Sequence, residues 1–383
     1  VRKKEGHMAE YDLLVRAGRV FCAESGLDGP GAVAVAGDRI VAAGPEVDGT
    51  AAETLDFPND LLLPGLVDMH AHPARRDSRY GVDPDVHFLP RGVTTVMSQG
   101  DAGARNWAAY RDEVVDASAT RVRMALNLSA AGESGPNRCF EHVADIDVAT
   151  CAEVAAADEG IWGIAVVTLQ GPCGDLDPRM IMARARAAGE RAGKPLLVGT
   201  RMHGDWSLDE QLEELRPGDV VTYCFNALPE NMLVDGKVRD SVWRARERGV
   251  LFDIGHGMQT FAWPVAEAAL AEGFYPDTVS TDQYIRHVGS QPQHDLPRTI
   301  SKLIVAGLPE REALARATAR PAEVLKLAGE VGTLAAGACA DLAILRFNEG
   351  ALPLCDVRGD ERPGGCWEPL ATVRAGVIRA DHR

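Results

Sequence analysis

The chain predicts a (β/α)8 TIM barrel carrying a small β-sandwich built from both termini. Three observations point there. From about residue 61 onward, short apolar runs bounded by Gly, Pro or Asp alternate with stretches of helical period. Runs that are apolar along their whole length suit strands covered on both faces, as in a parallel sheet. Eight such runs occur in series, and eight is the number that closes a barrel.

The expected barrel strands are Leu61–His70, Thr94–Gln99, Val122–Ser129, Ile161–Leu169, Pro195–Thr200, Asp219–Phe225, Val250–His256 and Thr278–Asp282. Helices are expected at Arg105–Ser118, Asp147–Asp158, Asp177–Gly193, Arg239–Gly249 and Phe261–Gly273. Asp177-Pro178 offers a cap and a first-turn proline, while Gly193, Gly249 and Gly273 stand where helices stop. Tyr11–Phe21 and Ala32–Gly44 alternate in the strand period, with turns at Ser25-Gly26 and Gly37-Asp38. Residues 331–347 and 371–379 repeat that style, with Gly337 and Gly376 as turn residues. The expected organisation is therefore a sandwich from 9–60 and 331–383 around a barrel from 61–330. Val1–Met8 reads as a tag remnant with a Gly-His-Met scar.

Composition narrows the function. With 383 residues, 46% of them hydrophobic, the chain can bury a large core. A formal charge of -16 argues against nucleic acid or an anionic membrane as partner and leaves a small-molecule substrate. Eight cysteines without CxxC spacing suit reduced thiols, and no signal-like or membrane-length apolar segment occurs, so a cytoplasmic protein is expected. Barrels of this size often form homo-oligomers, although no interface is legible in the chain.

Barrel chemistry sits at the C-terminal ends of the strands. Strand one ends Asp68-Met69-His70-Ala71-His72. Side chains two apart on extended backbone point the same way, so both imidazoles can reach one ion. Asp282 closes the last strand in Val-Ser-Thr-Asp, where it can ligate the ion, take a proton from bound water, or both. Asp101, past strand two, is an alternative ligand, with a turn residue as the plainer reading.

These segments carry a resemblance. Leu-Pro-Gly-Leu-Val-Asp-Met-His-Ala-His, Arg-Gly-Val-Thr-Thr-Val, Val-Ser-Thr-Asp and the closing Gly-Thr-Leu-Ala-Ala-Gly-Ala-Cys-Ala-Asp-Leu-Ala-Ile-Leu resemble the amidohydrolase superfamily. Gly-Asp-Val-Val-Thr-Tyr-Cys-Phe and Arg-Gly-Val-Leu-Phe-Asp-Ile-Gly-His-Gly-Met are similar to its dihydroorotase-like and deacetylase branch. That resemblance implies two zinc ions bridged by a carboxylated lysine on strand four, with histidines ending strands five and six. Here those positions hold Ala165, Gly199 and Tyr223, and the only lysines are Lys3, Lys4, Lys194, Lys237, Lys302 and Lys326. What remains suits one divalent ion, zinc first, with manganese or iron as alternatives.

The expected activity is metal-dependent hydrolysis of an amide, cyclic amide or ester bond. His256, at the end of strand seven, is expected to contact substrate or act in acid–base chemistry, and Tyr223 to stabilise the oxyanion. Arg201, Arg286 and His203, in the loops after strands five and eight, are the substrate-binding expectations. The rival readings are a barrel repurposed as a lactonase, lyase, decarboxylase or isomerase, and a non-catalytic binding protein.

Overall fold

The computed structural model describes residues 10–76, 78–134 and 139–383; the tag remnant expected at 1–8 lies outside them. Seven strands pair in parallel in chain order: Leu66–Ala71, Val93–Ser98, Arg121–Asn127, Ile161–Val167, Leu196–Gly199, Val220–Thr222 and Leu251–Phe252. The eighth run, 278–282, forms no regular strand, yet it completes the ring. Isolated parallel bridges join Asp253 to Thr278 and Ala71 to Gln283. Backbone hydrogen bonds from Asp282 N to His70 O (2.7 Å) and His72 N to Gln283 O (2.9 Å) tie it to the first strand. His256 N to Ser280 O (3.2 Å) and Gly257 N to Thr281 O (3.0 Å) tie it to the seventh.

Local chemistry explains the helices that were legible. Pro178–Ala192 starts where the Asp177 carboxylate accepts from Arg179 N and stops at Gly193, whose φ of 64° closes the turn. Val148–Ala157, Asp240–Glu247 and Trp263–Ala271 fall inside their expected spans. The helix expected over 105–118 is instead a single turn, Trp107–Tyr110, widening into a π turn at Arg111–Val115.

The terminal strands form one continuous seven-stranded sheet in place of the two facing sheets of a sandwich. Its order is Val377–Asp381, Cys366–Arg374, Leu342–Asn348, Ala51–Pro64, Tyr11–Cys22, Leu27–Ala36, Arg39–Gly44. Ala51–Pro64 is the reason: it pairs with Tyr11–Cys22 on one side and Leu342–Asn348 on the other, so no gap divides the set. Leu61–Pro64, expected in the first barrel strand, belongs to this sheet. Gly65 separates the two, and a β-carbon there would lie 2.1 Å from Thr94 Oγ1.

One face of the sheet encloses Leu13, Val15, Val35, Leu55, Phe57, Leu342, Ile344 and Val373. Phe21, Leu61, Leu63, Leu345 and Trp367 join the same apolar cluster as the barrel helices. Among the described residues no helix is long and apolar enough to cross a membrane.

Candidate metal centre

Strand one delivers His70 and His72 to the barrel mouth, and backbone bonds to the eighth run set Asp282 between them. All three are buried. His70 Nε2 and His72 Nε2 each lie 3.4 Å from Asp282 Oδ1, and the three donor atoms fall within 4.8 Å of one another. Asp282 adopts φ 49°, a left-handed conformation an aspartate holds only when its surroundings enforce it.

The imidazole tautomers follow from the partners behind them. Thr222 gives its single hydroxyl proton to Asp253 Oδ2 (2.8 Å), so it can only accept from His70 Nδ1 (2.7 Å). Asp101 accepts from His72 Nδ1 (3.2 Å), and also from the Ser78 and Ser98 hydroxyls, both at 2.6 Å. Both rings therefore carry hydrogen on Nδ1 and turn Nε2 toward Asp282. Histidine ligands are commonly oriented in this way. Asp253 is pinned in turn by Thr278 Oγ1 (2.6 Å) and Ser280 Oγ (2.7 Å). Asp68 accepts from Thr281 N and Thr281 Oγ1, binding the first strand to the eighth run.

Three observations fit these residues to a cation. Asp282 Oδ1 is buried and has no hydrogen-bond donor, although it faces both imidazoles. Leaving such an oxygen unpaired is costly, and a metal ion between it and the two Nε2 atoms would satisfy it. The electrostatics agree: burial pushes His70 and His72 down, yet the carboxylates outweigh it, lifting His70 to about 9 and His72 well above its ordinary value. Burial likewise opposes ionisation of Asp282, but the two imidazoles hold its carboxyl far below the usual range. Finally, this is the one such group of three or more His, Cys, Asp or Glu among the described residues.

The strand-four and strand-five ligand positions are closed. Ala165 is fully buried. A β-carbon on Gly199 would come within 2.9 Å of Tyr223 Cε2, so the tyrosine ring fills the space beside it. Tyr223, at φ 67°, brings its hydroxyl to 3.4 Å from His70 Nε2.

A cavity of about 220 Å3 opens over the centre, lined by His72, Tyr80, Glu133, Tyr223, Asp282, Tyr284 and Arg286 among others. A larger hollow of about 560 Å3 surrounds Trp162, Lys194 and Arg216 near the N-terminal ends of the strands, and it contains none of the expected site residues. Exposed Arg286 stands at the mouth and makes no ion pair among the described residues. Glu133, which the sequence did not suggest, lines the cavity, and burial pushes its carboxyl up to about 6.

Three expected residues are placed elsewhere. Arg201 spends its guanidinium on both oxygens of Asp205, four residues on, and is buried in the wall. His203 is exposed on the following loop and does not line the cavity. His256 is buried behind the centre. Its Nδ1 bonds to Gly257 O (2.8 Å) and its Nε2 to Lys302 Nζ (2.9 Å), so neither nitrogen is free to meet substrate.

The amidohydrolase family profile matches residues 262–367. A deacetylase of Enterococcus faecalis is 32% identical over 378 residues, 96% of this chain and 99% of that protein. The chain is an amidohydrolase. A deacetylase of Agrobacterium fabrum is similar to this amidohydrolase at 32% identity over 359 residues, covering 91% of this chain and 86% of the relative. The crystal structure of an adenine deaminase matches with a TM-score of 0.87 at 30% identity, covering 96% of this chain and 99% of that one. That of a dihydroorotase matches at 0.85 and 27%, covering 96% and 97%. The amidohydrolase is thus a metal-dependent enzyme for amide-type carbon–nitrogen bonds of small molecules.

Proposed function

We propose that this amidohydrolase holds one divalent ion on His70, His72 and Asp282 and removes an acyl group from a small molecule bearing an anionic group. The single observation that carries the reading is the buried Asp282 Oδ1, without a hydrogen bond, set 3.4 Å from both Nε2 atoms. Two imidazoles and one carboxylate form a zinc set with an open position, and manganese or iron accept the same donors. Deacetylation comes first among the acyl transfers to test because the full-length relatives carry that name.

When bound, the ion lowers the pKa of a coordinated water toward 7 and polarises the scissile carbonyl. The protein's own groups do the rest. Asp282, held ionised by the imidazoles, takes the proton of the attacking water and returns it to the leaving nitrogen or oxygen. Tyr223 keeps its proton because burial drives its phenol well above the ordinary value, and it donates to the developing oxyanion. Arg286 at the mouth pairs with the substrate's anionic group. With free thiols at all eight cysteines, the enzyme suits a reducing compartment such as the cytoplasm.

The test is metal content by mass spectrometry on protein prepared without chelator or nickel resin, beside His70→Ala. We expect about one ion per chain, lost in the variant, with hydrolysis of N-acetyl amino acids lost alongside it. Two ions per chain would show a ligand set larger than this one. None, in folded protein that takes up no added metal, would overturn the reading.

A further inference from the structure

His256 and Lys302 are left without a part in the chemistry above, and both are buried immediately behind it. Lys302 sits on the core face of the helix Leu296–Val305 and makes no ion pair with a carboxylate among the described residues. Its ammonium donates to His256 Nε2 at 2.9 Å. Burying an ammonium without a counter-ion is costly, and an apolar side chain would serve packing better. A role outside packing is the natural account of its presence.

The geometry supplies one. Lys302 can only donate, so His256 Nε2 must accept, and Nδ1 therefore carries hydrogen and donates to Gly257 O at 2.8 Å. The ring is held flat on Phe261 (centroids 4.8 Å apart, 13° between planes) and against His294 (4.9 Å). This side chain thus clamps its own backbone, the strap Gly255-His256-Gly257. Both glycines have positive φ, 49° and 47°. A β-carbon on Gly255 would lie 2.2 Å from Thr222 Oγ1 and 3.0 Å from His70 Nδ1; one on Gly257 would lie 2.6 Å from Asp282 Oδ2. The strap's bare backbone is the surface against which two of the three metal-binding side chains, His70 and Asp282, rest.

We propose that Lys302 and His256 are a positioning pair, which locks the 255–257 strap against Thr222, His70 and Asp282 and so fixes the geometry of the metal centre. The proposal rests on the mononuclear reading for its effect on metal, and on the strap alone for its effect on backbone. The pair touches neither substrate nor reacting atoms.

Lys302→Met keeps the volume and removes the donor; Lys302→Gln keeps a neutral donor. Cobalt(II) is the probe, with affinity measured by chelator competition and geometry by visible absorption. We expect Lys302→Met to bind cobalt about 10–100-fold more weakly with a changed absorption band, the usual cost of losing an outer partner. Lys302→Gln should recover part of both, and thermal unfolding of the metal-free proteins should shift by only a few degrees. Hydrogen exchange of peptides spanning 254–258 should quicken about tenfold or more in Lys302→Met. Affinity within twofold, an unchanged band and unchanged exchange would overturn the proposal. If wild-type protein bound no cobalt, the metal reading would fall and exchange alone would decide the clamp. Should Lys302→Met not fold, Lys302→Met with His256→Phe removes both polar partners together and is read in the same way.

Discussion

Asp253 touches no substrate and would touch no ion, yet it decides which nitrogen of His70 is free. Its carboxylate fixes the Thr222 hydroxyl, and Thr222 fixes the ring. Asp253→Asn should weaken metal binding about 10–100-fold in chelator competition while the fold persists. Lys302 gives a pH-dependent signature of its own. Burial lowers its ammonium to about 8, against an unfolded value near 10.4. Between those values the folded chain binds fewer protons, so this residue's contribution to stability rises with pH across that window and is lost as pH falls through it. Urea unfolding of wild type minus Lys302→Met should therefore gain on the order of 2 kcal/mol from about pH 7.5 to about pH 10. A flat difference would show that Lys302 titrates as if exposed. The meeting of His70, His72 and Asp282 was legible because HxH and the final Asp lie at strand ends, where position in the chain implies position in space. The parts of Asp253 and Lys302 were not, because each acts through a partner dozens of residues away; Asp101 was singled out as a ligand but stands behind His72 as its hydrogen-bond acceptor. His256 misled for a definable reason: the regular strand stops at Phe252, and positive φ at Gly255 breaks the alternation that would have aimed residue 256 into the barrel.

At the level of elements, the glycine strap and the irregular eighth run define the mouth together. Gly257→Ala adds a β-carbon 2.6 Å from Asp282 Oδ2 at a left-handed φ. It should cost about 1–3 kcal/mol in stability and at least tenfold in metal affinity. Gly204→Ala is the control: its φ is 78°, but nothing lies within 4 Å, so strain appears without loss of metal. Calorimetry and chelator competition on the two variants separate backbone strain from the carboxylate's displacement. Apolar runs and caps revealed seven parallel strands and four of the helices, since those signals are local, while Leu208–Glu213 and Leu296–Val305 among others went unread. The join at Gly65 was hidden because Leu61–Pro64 and Leu66–Val67 read as one apolar run, although they serve different sheets. Nothing in the local sequence of 105–118 announces that its helix widens after one turn.

Across the whole molecule, the terminal sheet and the barrel are not separable bodies. Phe21, Leu63, Leu345 and Trp367 share a core with the barrel helices, and Trp263 Nε1 donates to Asp360 O at 2.8 Å. Asp356 Oδ2 also receives Trp263 N at the start of the helix Trp263–Ala271. A single calorimetric transition is expected, with the sheet and barrel melting together. Two resolved transitions would show that the termini fold on their own. Composition could announce strands at both ends, but only long-range pairing shows that they lean on the barrel.

The contact between Gly199 and Tyr223 also bears on redesign. Placing a histidine at 199 in the present chain would set its β-carbon 2.9 Å from Tyr223 Cε2, with the tyrosine ring in its way. Residues 199 and 223 therefore constrain each other. An engineer wishing to rebuild a second metal position must vacate residue 223 first.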